Sequence, residues 1–236
     1  MELNDRIRDL LQGEFVGLVG FADLSAYQDE LARGGPIARG YRRAVSIGVP
    51  LPSSLVDFLP QAEDPNVACA YKTHGYHVVN DRLDAAASKL SSFLNGLGHR
   101  TLPLPAAERT DEKNARATVS HKMVAHISGL GWIGKSCLLV TPQFGPRVRF
   151  TSVLTDAPLE AVDSALEQRC GTCQECRKIC PAQAILGVNY VAGAPREDRF
   201  DFRKCQDHFD RLKATRTWDV CGLCLYVCPW GRKAVG

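Results

Sequence analysis

The sequence predicts an α+β protein in two parts, a helix-and-strand layer over residues 1–157 and a small metal-binding domain over residues 158–236. Eight of the ten cysteines fall between Cys170 and Cys228, while Cys69 and Cys137 stand alone. Short apolar runs bounded by turn residues alternate with helical periods throughout the first part. The change of character falls between Ala157 and Arg169.

Composition sets broad limits. The chain has 236 residues, 45% hydrophobic and 23% charged, an ordinary balance for a soluble globular protein. No run approaches the roughly 20 apolar residues that a membrane span needs. The opening MELNDRIRDLLQGEF is charged throughout and lacks the apolar centre of a secretory signal. A cytoplasmic location is therefore expected, where clustered thiols hold metal more often than they form disulfides. The net charge of +3 is too mild to argue for nucleic acid. The densest charged segment, Arg196 to Arg216, nearly balances seven basic residues against five acidic ones and reads as a solvated face.

In chain order, Asn4 is a candidate N-cap for a helix ending near Gly13. The runs Phe15–Phe21 and Ala44–Leu51 read as buried strands. Between Pro65 and Leu97 a helix is expected, with Val79, Leu83, Ala86, Leu90, Phe93 and Leu97 aligned in one apolar stripe and Gly96 and Gly98 as stop signals. HRTLPLPA is extended. Ser120 caps a second helix that runs to Gly129. KSCLLVT and RVRFTSVLT read as two strands, and the PQFGP between them predicts a hairpin.

Gly129, Gly131 and Gly134 match the G-x-G-x-x-G spacing of dinucleotide-binding folds, but in the wrong setting. That motif follows a strand and opens a helix; here a helix precedes and a strand follows. A tight helix-to-strand turn, open to close approach by a bulky ligand, explains the glycines better.

The cysteines speak more clearly. Cys170 to Pro181 reads CGTCQECRKICP, the C-x2-C-x2-C-x3-C-P run of bacterial two-cluster ferredoxins. Three closely spaced thiolates wrap one cubane and the fourth serves the other. CGLCLYVCP supplies Cys221, Cys224 and Cys228, with Trp218 at the leading cysteine position, so Cys205 is the candidate for the missing ligand. The exchange assigns Cys170, Cys173, Cys176 and Cys228 to one [4Fe–4S] cluster, and Cys180, Cys205, Cys221 and Cys224 to the other. The alternative is a pair of four-cysteine zinc sites, but zinc ribbons use C-x2-C pairs set well apart.

SHKMVAHISGLGWIGKSCLLVT, VLTDAPL and the cysteine motifs ending in CPWG together resemble the epoxyqueuosine reductases and their short relatives, a group related to the reductive dehalogenases. YKTHGYHVVNDRLD resembles a helix start of the same family, and the likeness covers about two thirds of the chain. It implies a nitroreductase-like α/β domain that holds cobalamin with no protein ligand below the cobalt, followed by a two-[4Fe–4S] ferredoxin-like domain that reduces it. Carried over by position, Tyr76, His77, Gly129, Gly131, Trp132, Gly134 and Lys135 line the corrinoid. The implied partners are a low-potential donor such as ferredoxin or flavodoxin and a small-molecule or corrinoid-protein acceptor, with tRNA as substrate of a true epoxyqueuosine reductase.

One position departs from the family. Its acidic proton donor, in a Val-Asp segment about fourteen residues before GLGWIGK, is replaced by Ala115. Asp111 and Glu112 lie close by, and His121 and Lys122 are the alternative catalytic candidates. His126 reads as a structural histidine, and Cys69 and Cys137 as small buried hydrophobes. Two other functions fit the residues: an electron-transfer protein that reduces a partner without its own turnover, and the same fold filled by a flavin.

Overall fold

A computed structural model of the protein describes residues 1–14, 16–162 and 165–232. The amino-terminal elements are α1 (Leu3–Gln12), β1 (Leu18–Asp23), α2 (Gln28–Arg33), β2 (Arg43–Pro50), α3 (Ser53–Asp57) and α4 (Pro65–Ala70). A π-helical turn, Tyr71–His77, then leads into α5 (Val78–Gly96). After it come β3 (Thr101–Leu104), α6 (His121–Ile127), β4 (Trp132–Ile133), β5 (Leu139–Val140) and β6 (Val148–Thr155). Four short helices close the described chain: α7 (Glu175–Ile179), α8 (Phe202–Thr215), α9 (Leu223–Tyr226) and α10 (Pro229–Arg232).

The chain forms two compact units, each built from separated stretches of sequence. The first takes residues 1–50, 80–131 and 149–166. The second takes 51–79, 132–148 and the chain from Glu167 onward.

The first unit is organised on a four-stranded sheet in the order β1-β2-β6-β3. β1 runs antiparallel to β2, from Leu18 opposite Gly48 to Asp23 opposite Arg43. β3 runs antiparallel to β6, with Thr101 opposite Thr155. The inner strands are buried along nearly their whole length, as their continuous apolar runs require. Leu24, Leu31, Val119, Val124, Ile127 and Leu154 form the centre of the core.

Asn4 does not cap α1. It lies inside the first turn, where its amide nitrogen donates to the Glu160 carbonyl at 2.8 Å and its oxygen accepts from the Glu160 N–H at 3.3 Å. A carboxamide offers a donor and an acceptor together, and an extended backbone uses both. α1 ends at Gly13 as expected. Phe15, the first residue of the expected strand, lies outside the described residues.

In α5 the buried stripe follows Val79, Leu83, Ala86 and Leu90 but then passes through Leu94. The helix stops at Gly96, and Gly98 adopts φ +88°, so Leu97 leaves the helical face and is 40% exposed.

The expected hairpin between KSCLLVT and RVRFTSVLT does not form. PQFGP closes a turn on itself, with Thr141 and Gly145 exchanging backbone hydrogen bonds. Leu139–Val140 pairs backward with Trp132–Ile133, while the eight-residue β6 joins the large sheet. A two-residue strand offers too little backbone to hold so long a partner, and β6 buries more against the sheet.

Two substitutions on α5 separate the stripe from its continuation. Leu90→Ala is expected to cost about 2–5 kcal/mol. Leu97→Ala is expected to stay within about 0.5 kcal/mol. Urea unfolding midpoints of the two variants measure both.

Candidate metal centre

The second unit brings all eight clustered cysteines together in two groups. Burial, and then the sulfurs of Cys170, Cys228 and Cys173, push the Cys176 thiol up to about 11. Cys224 is driven up by burial and then by Cys221, Cys205 and Cys180. Cys228 again feels Cys170 and Cys173, and Cys221 feels Cys180. The strongest sulfur neighbours of Cys176, Cys221, Cys224 and Cys228 are cysteines that the spacing places in the same group as each. Cys176 is the weakest influence on Cys224, which sets the two groups side by side.

Local backbone explains how short loops present so many sulfurs. Gly171 adopts φ +52°, allowing Cys170 and Cys173 to face inward across a turn closed by the Cys173 N–H on the Cys170 carbonyl. Gly222 adopts φ +75° at the start of α9 and lies so close to Leu59 that a Cβ would meet its Cδ1 at 2.8 Å. Backbone N–H groups of Gly222 and Leu223 point at Cys221, those of Trp230 and Gly231 at Cys228, and that of Ala184 at Cys180, the last at 3.4 Å. Such donors favour the thiolate, whereas burial opposes it.

These sulfurs fit metal clusters. Buried neighbouring thiols resist losing their protons, and coordinated iron reverses that penalty by supplying the missing positive charge. None of the ten cysteines is in a disulfide. Among the described residues, no three potential ligands converge as those of a single ion would. A cubane carries its thiolates on four separate irons and has no such requirement.

The segments 51–79 and 132–148 support the cysteine loops within this unit. Lys72, in the π-helical turn, bonds Asp219 at 2.7 Å, two residues before Cys221. Burial raises the Asp219 carboxyl, but the Lys72 hydrogen bond and charge outweigh it and hold the group below its usual range. Lys135 is 3% exposed and donates to the Gly171 and Cys173 carbonyls at 2.7 and 2.9 Å. Trp132 is fully buried, edge-on to Trp230 with ring centroids 4.8 Å apart, beneath the Arg169 guanidinium. Its indole N–H has no hydrogen-bond partner among the described residues, a donor of the kind cluster sulfurs accept. A Cβ on Gly134 would lie 3.0 Å from Val140 and 3.6 Å from the Cys170 sulfur. On Gly145 it would overlap the Gly231 backbone.

The glycine motif thus divides its work. Gly129, at φ +74°, ends α6, with its own N–H bonded to His126 and that of Leu130 reaching back to Ala125. The Gly131 carbonyl accepts from His126 Nδ1 at 2.9 Å, the structural role expected for that histidine. Gly134 opens the β4–β5 loop against Cys170. In that loop Cys137 is buried at φ +61°, while Cys69 is only partly buried.

Other residues singled out from the sequence lie apart from the cysteines. Tyr76 is partly buried, with the Lys72 ammonium 5.2 Å from its ring centre, and His77 is exposed. In the first unit, His121 Nε2 donates to the Pro105 carbonyl at 3.0 Å, which leaves Nδ1 to accept from the Ser152 hydroxyl at 3.0 Å. Burial holds this ring below the usual histidine range, so it is neutral. Lys122 follows it, partly buried. A recess of about 30 Å³ beside His121, lined by Leu104, Glu108, Thr110 and Val119, is far smaller than a small-molecule site. Ala115 occupies a tight turn at φ +48°, and Asp111 uses its carboxylate on the Asn114 backbone and amide.

Sequence reasoning missed Lys72 and Asp219. The charges were visible, but their spatial pairing was not.

The second unit is thus built on a two-cluster iron–sulfur domain, and residues 169–231 match the 4Fe-4S double cluster binding domain. Over most of its length the chain is similar to the epoxyqueuosine reductases. It is 28% identical over 205 residues to the Aliivibrio fischeri enzyme, covering 77% of this chain and 49% of that one. The Vibrio cholerae enzyme is 27% identical over 86% of this chain and 53% of its own length. The chain therefore spans about half the length of these relatives. Tetrachloroethene reductive dehalogenase of Sulfurospirillum multivorans is 34% identical over 44% of this chain and 22% of its own.

Solved structures share the fold. An epoxyqueuosine reductase bound to an epoxyqueuosine-modified tRNA-Tyr stem loop matches 98% of this chain and 65% of its own, with TM-score 0.63 and 18% identity. A reductive dehalogenase described as suggesting a mechanism for B12-dependent dehalogenation matches 96% of this chain and 31% of its own, with TM-score 0.70 and 16% identity. Among the described residues, no helix is long and apolar enough to cross a membrane.

The interleaved assignment makes a specific demand on Cys205, which lies on α8, outside both motifs. Cys205→Ser is expected to lower iron from about eight to about four atoms per chain. Colorimetric iron and sulfide assays after anaerobic reconstitution measure it.

Proposed function

We propose that this protein is an iron–sulfur reductase whose two [4Fe–4S] clusters pass electrons singly to a corrinoid held by the rest of the chain. The observation that carries the reading is the match of residues 169–231 to the double-cluster domain, with its cysteine loops braced by Lys72 and Lys135 from earlier in the sequence. Side-by-side cubanes suit one-electron relay, which a low-potential donor such as ferredoxin or flavodoxin would feed. The corrinoid rests on the likeness to epoxyqueuosine reductases and reductive dehalogenases. When bound, it would supply strongly reducing cobalt chemistry that no amino-acid side chain provides.

The residues carried over to that cofactor do not all suit it equally. Trp132, Gly134 and Lys135 are enclosed and face the cysteine loops, so we assign them to the nearer cluster. Tyr76 and His77, on the π-helical turn, retain accessible surface, and we propose a corrinoid contact there.

For substrate chemistry the turn at Ala115 supplies no acid. Asp111 is held below the ordinary carboxylate range by its bonds to Asn114 and is a poor proton donor near neutral pH. His121 is neutral and committed on both nitrogens. Epoxyqueuosine in tRNA is accordingly not proposed as the substrate by the family's acid route. The second reading, electron delivery to a corrinoid protein without turnover of its own, draws on this same lack of a placed acid.

Anaerobic titration of cob(II)alamin with the reconstituted protein tests the choice. A shift of the corrinoid absorption to the form lacking its lower axial base, saturating near one equivalent per chain, is expected. An unchanged spectrum at excess protein would remove the cofactor and leave electron transfer.

A further inference from the structure

The lysine of GLGWIGK has a position that its place in the motif does not explain. Lys135 sits on the β4–β5 loop, is 3% exposed, and spends its ammonium on the carbonyls of Gly171 and Cys173. Among the described residues no carboxylate pairs with it. The other lysine beside a cysteine loop, Lys72, is matched by Asp219 at 2.7 Å. One cysteine loop therefore meets a neutralised ion pair and the other an uncompensated cation. A buried ammonium without a counter-charge is costly, and two carbonyl contacts only partly offset that cost. Four cysteine thiolates outweigh the charge of a [4Fe–4S] core, so a cluster here would be the anionic partner that the side chain lacks.

We propose that Lys135 is a positioning residue for the cluster ligated by Cys170, Cys173, Cys176 and Cys228, and that its fixed charge raises the reduction potential of that cluster. Reduction adds one negative charge, which a nearby cation stabilises more strongly in a poorly hydrated interior than in water. The hydrogen bonds to the Gly171 and Cys173 carbonyls also fix the loop that carries Cys170 and Cys173. A Cβ at the neighbouring Gly134 would crowd Val140 at 3.0 Å and only touch the Cys170 sulfur, at 3.6 Å. This inference rests on the two-cluster reading and is independent of the corrinoid.

The test compares the reconstituted full chain with Lys135→Gln, which keeps a donor but not the charge, and with Lys135→Arg, which keeps the charge. Iron is counted first, and reduction is followed by EPR-monitored redox titration. In the Gln variant, one of the two reduction steps is expected to move to lower potential by at least tenfold in the reduced-to-oxidised ratio, 59 mV for a one-electron couple. The other step should stay in place, and Arg should restore the first. Two unshifted steps in the Gln variant with full iron would overturn the proposal. So would equal shifts in the Gln and Arg variants, or loss of half the iron in both, since each assigns Lys135 a purely structural role. Failure of the unaltered protein to take up eight irons would instead refute the two-cluster reading beneath it.

Discussion

Eight partly buried cysteines gathered in the second unit form the constraint on which that unit depends. Burial and neighbouring sulfurs drive the Cys176, Cys221, Cys224 and Cys228 thiols towards their protonated forms. A fold cannot gather such groups without surrounding support. That support is drawn from distant sequence: Leu59 under Gly222, Lys72 on Asp219, Lys135 on Gly171 and Cys173, and Trp132 against Trp230.

This dependence accounts for the way the second unit is assembled. A stand-alone two-cluster ferredoxin needs little beyond its own cysteine motifs. Here the unit also takes residues 51–79 and 132–148. The motifs that mark the likeness to epoxyqueuosine reductases, YKTHGYH and GLGWIGK, contribute residues that brace the cysteine loops.

Legibility in the sequence followed the range of the interactions. The proposed cysteine exchange rests on local signals, since each motif fixes its own geometry within a dozen residues and Trp218 at a ligand position leaves Cys205 as the candidate for the gap. Ser120, Gly13 and Gly96 were readable for the same local reason. The β4–β5 pairing was not, because two-residue strands carry almost no periodic signal, and the hydrophobic run through Leu139 fits either partner. Asn4 looked like a cap because capping is the commonest use of an asparagine at a helix start; its bond to Glu160 spans 156 positions. Lys135 showed the sharpest gap. Its motif identified it as important, while the atoms it contacts were visible only in three dimensions.

The most direct measurement is low-temperature EPR of the dithionite-reduced, anaerobically reconstituted protein, with iron and sulfide counted on the same sample. Two [4Fe–4S]⁺ centres lying side by side should give about eight irons per chain and a spectrum broadened and split by interaction between the two spins. An uncoupled spectrum from a single four-iron centre, or tightly bound zinc with no paramagnetic signal, would contradict the interleaved arrangement and everything derived from it.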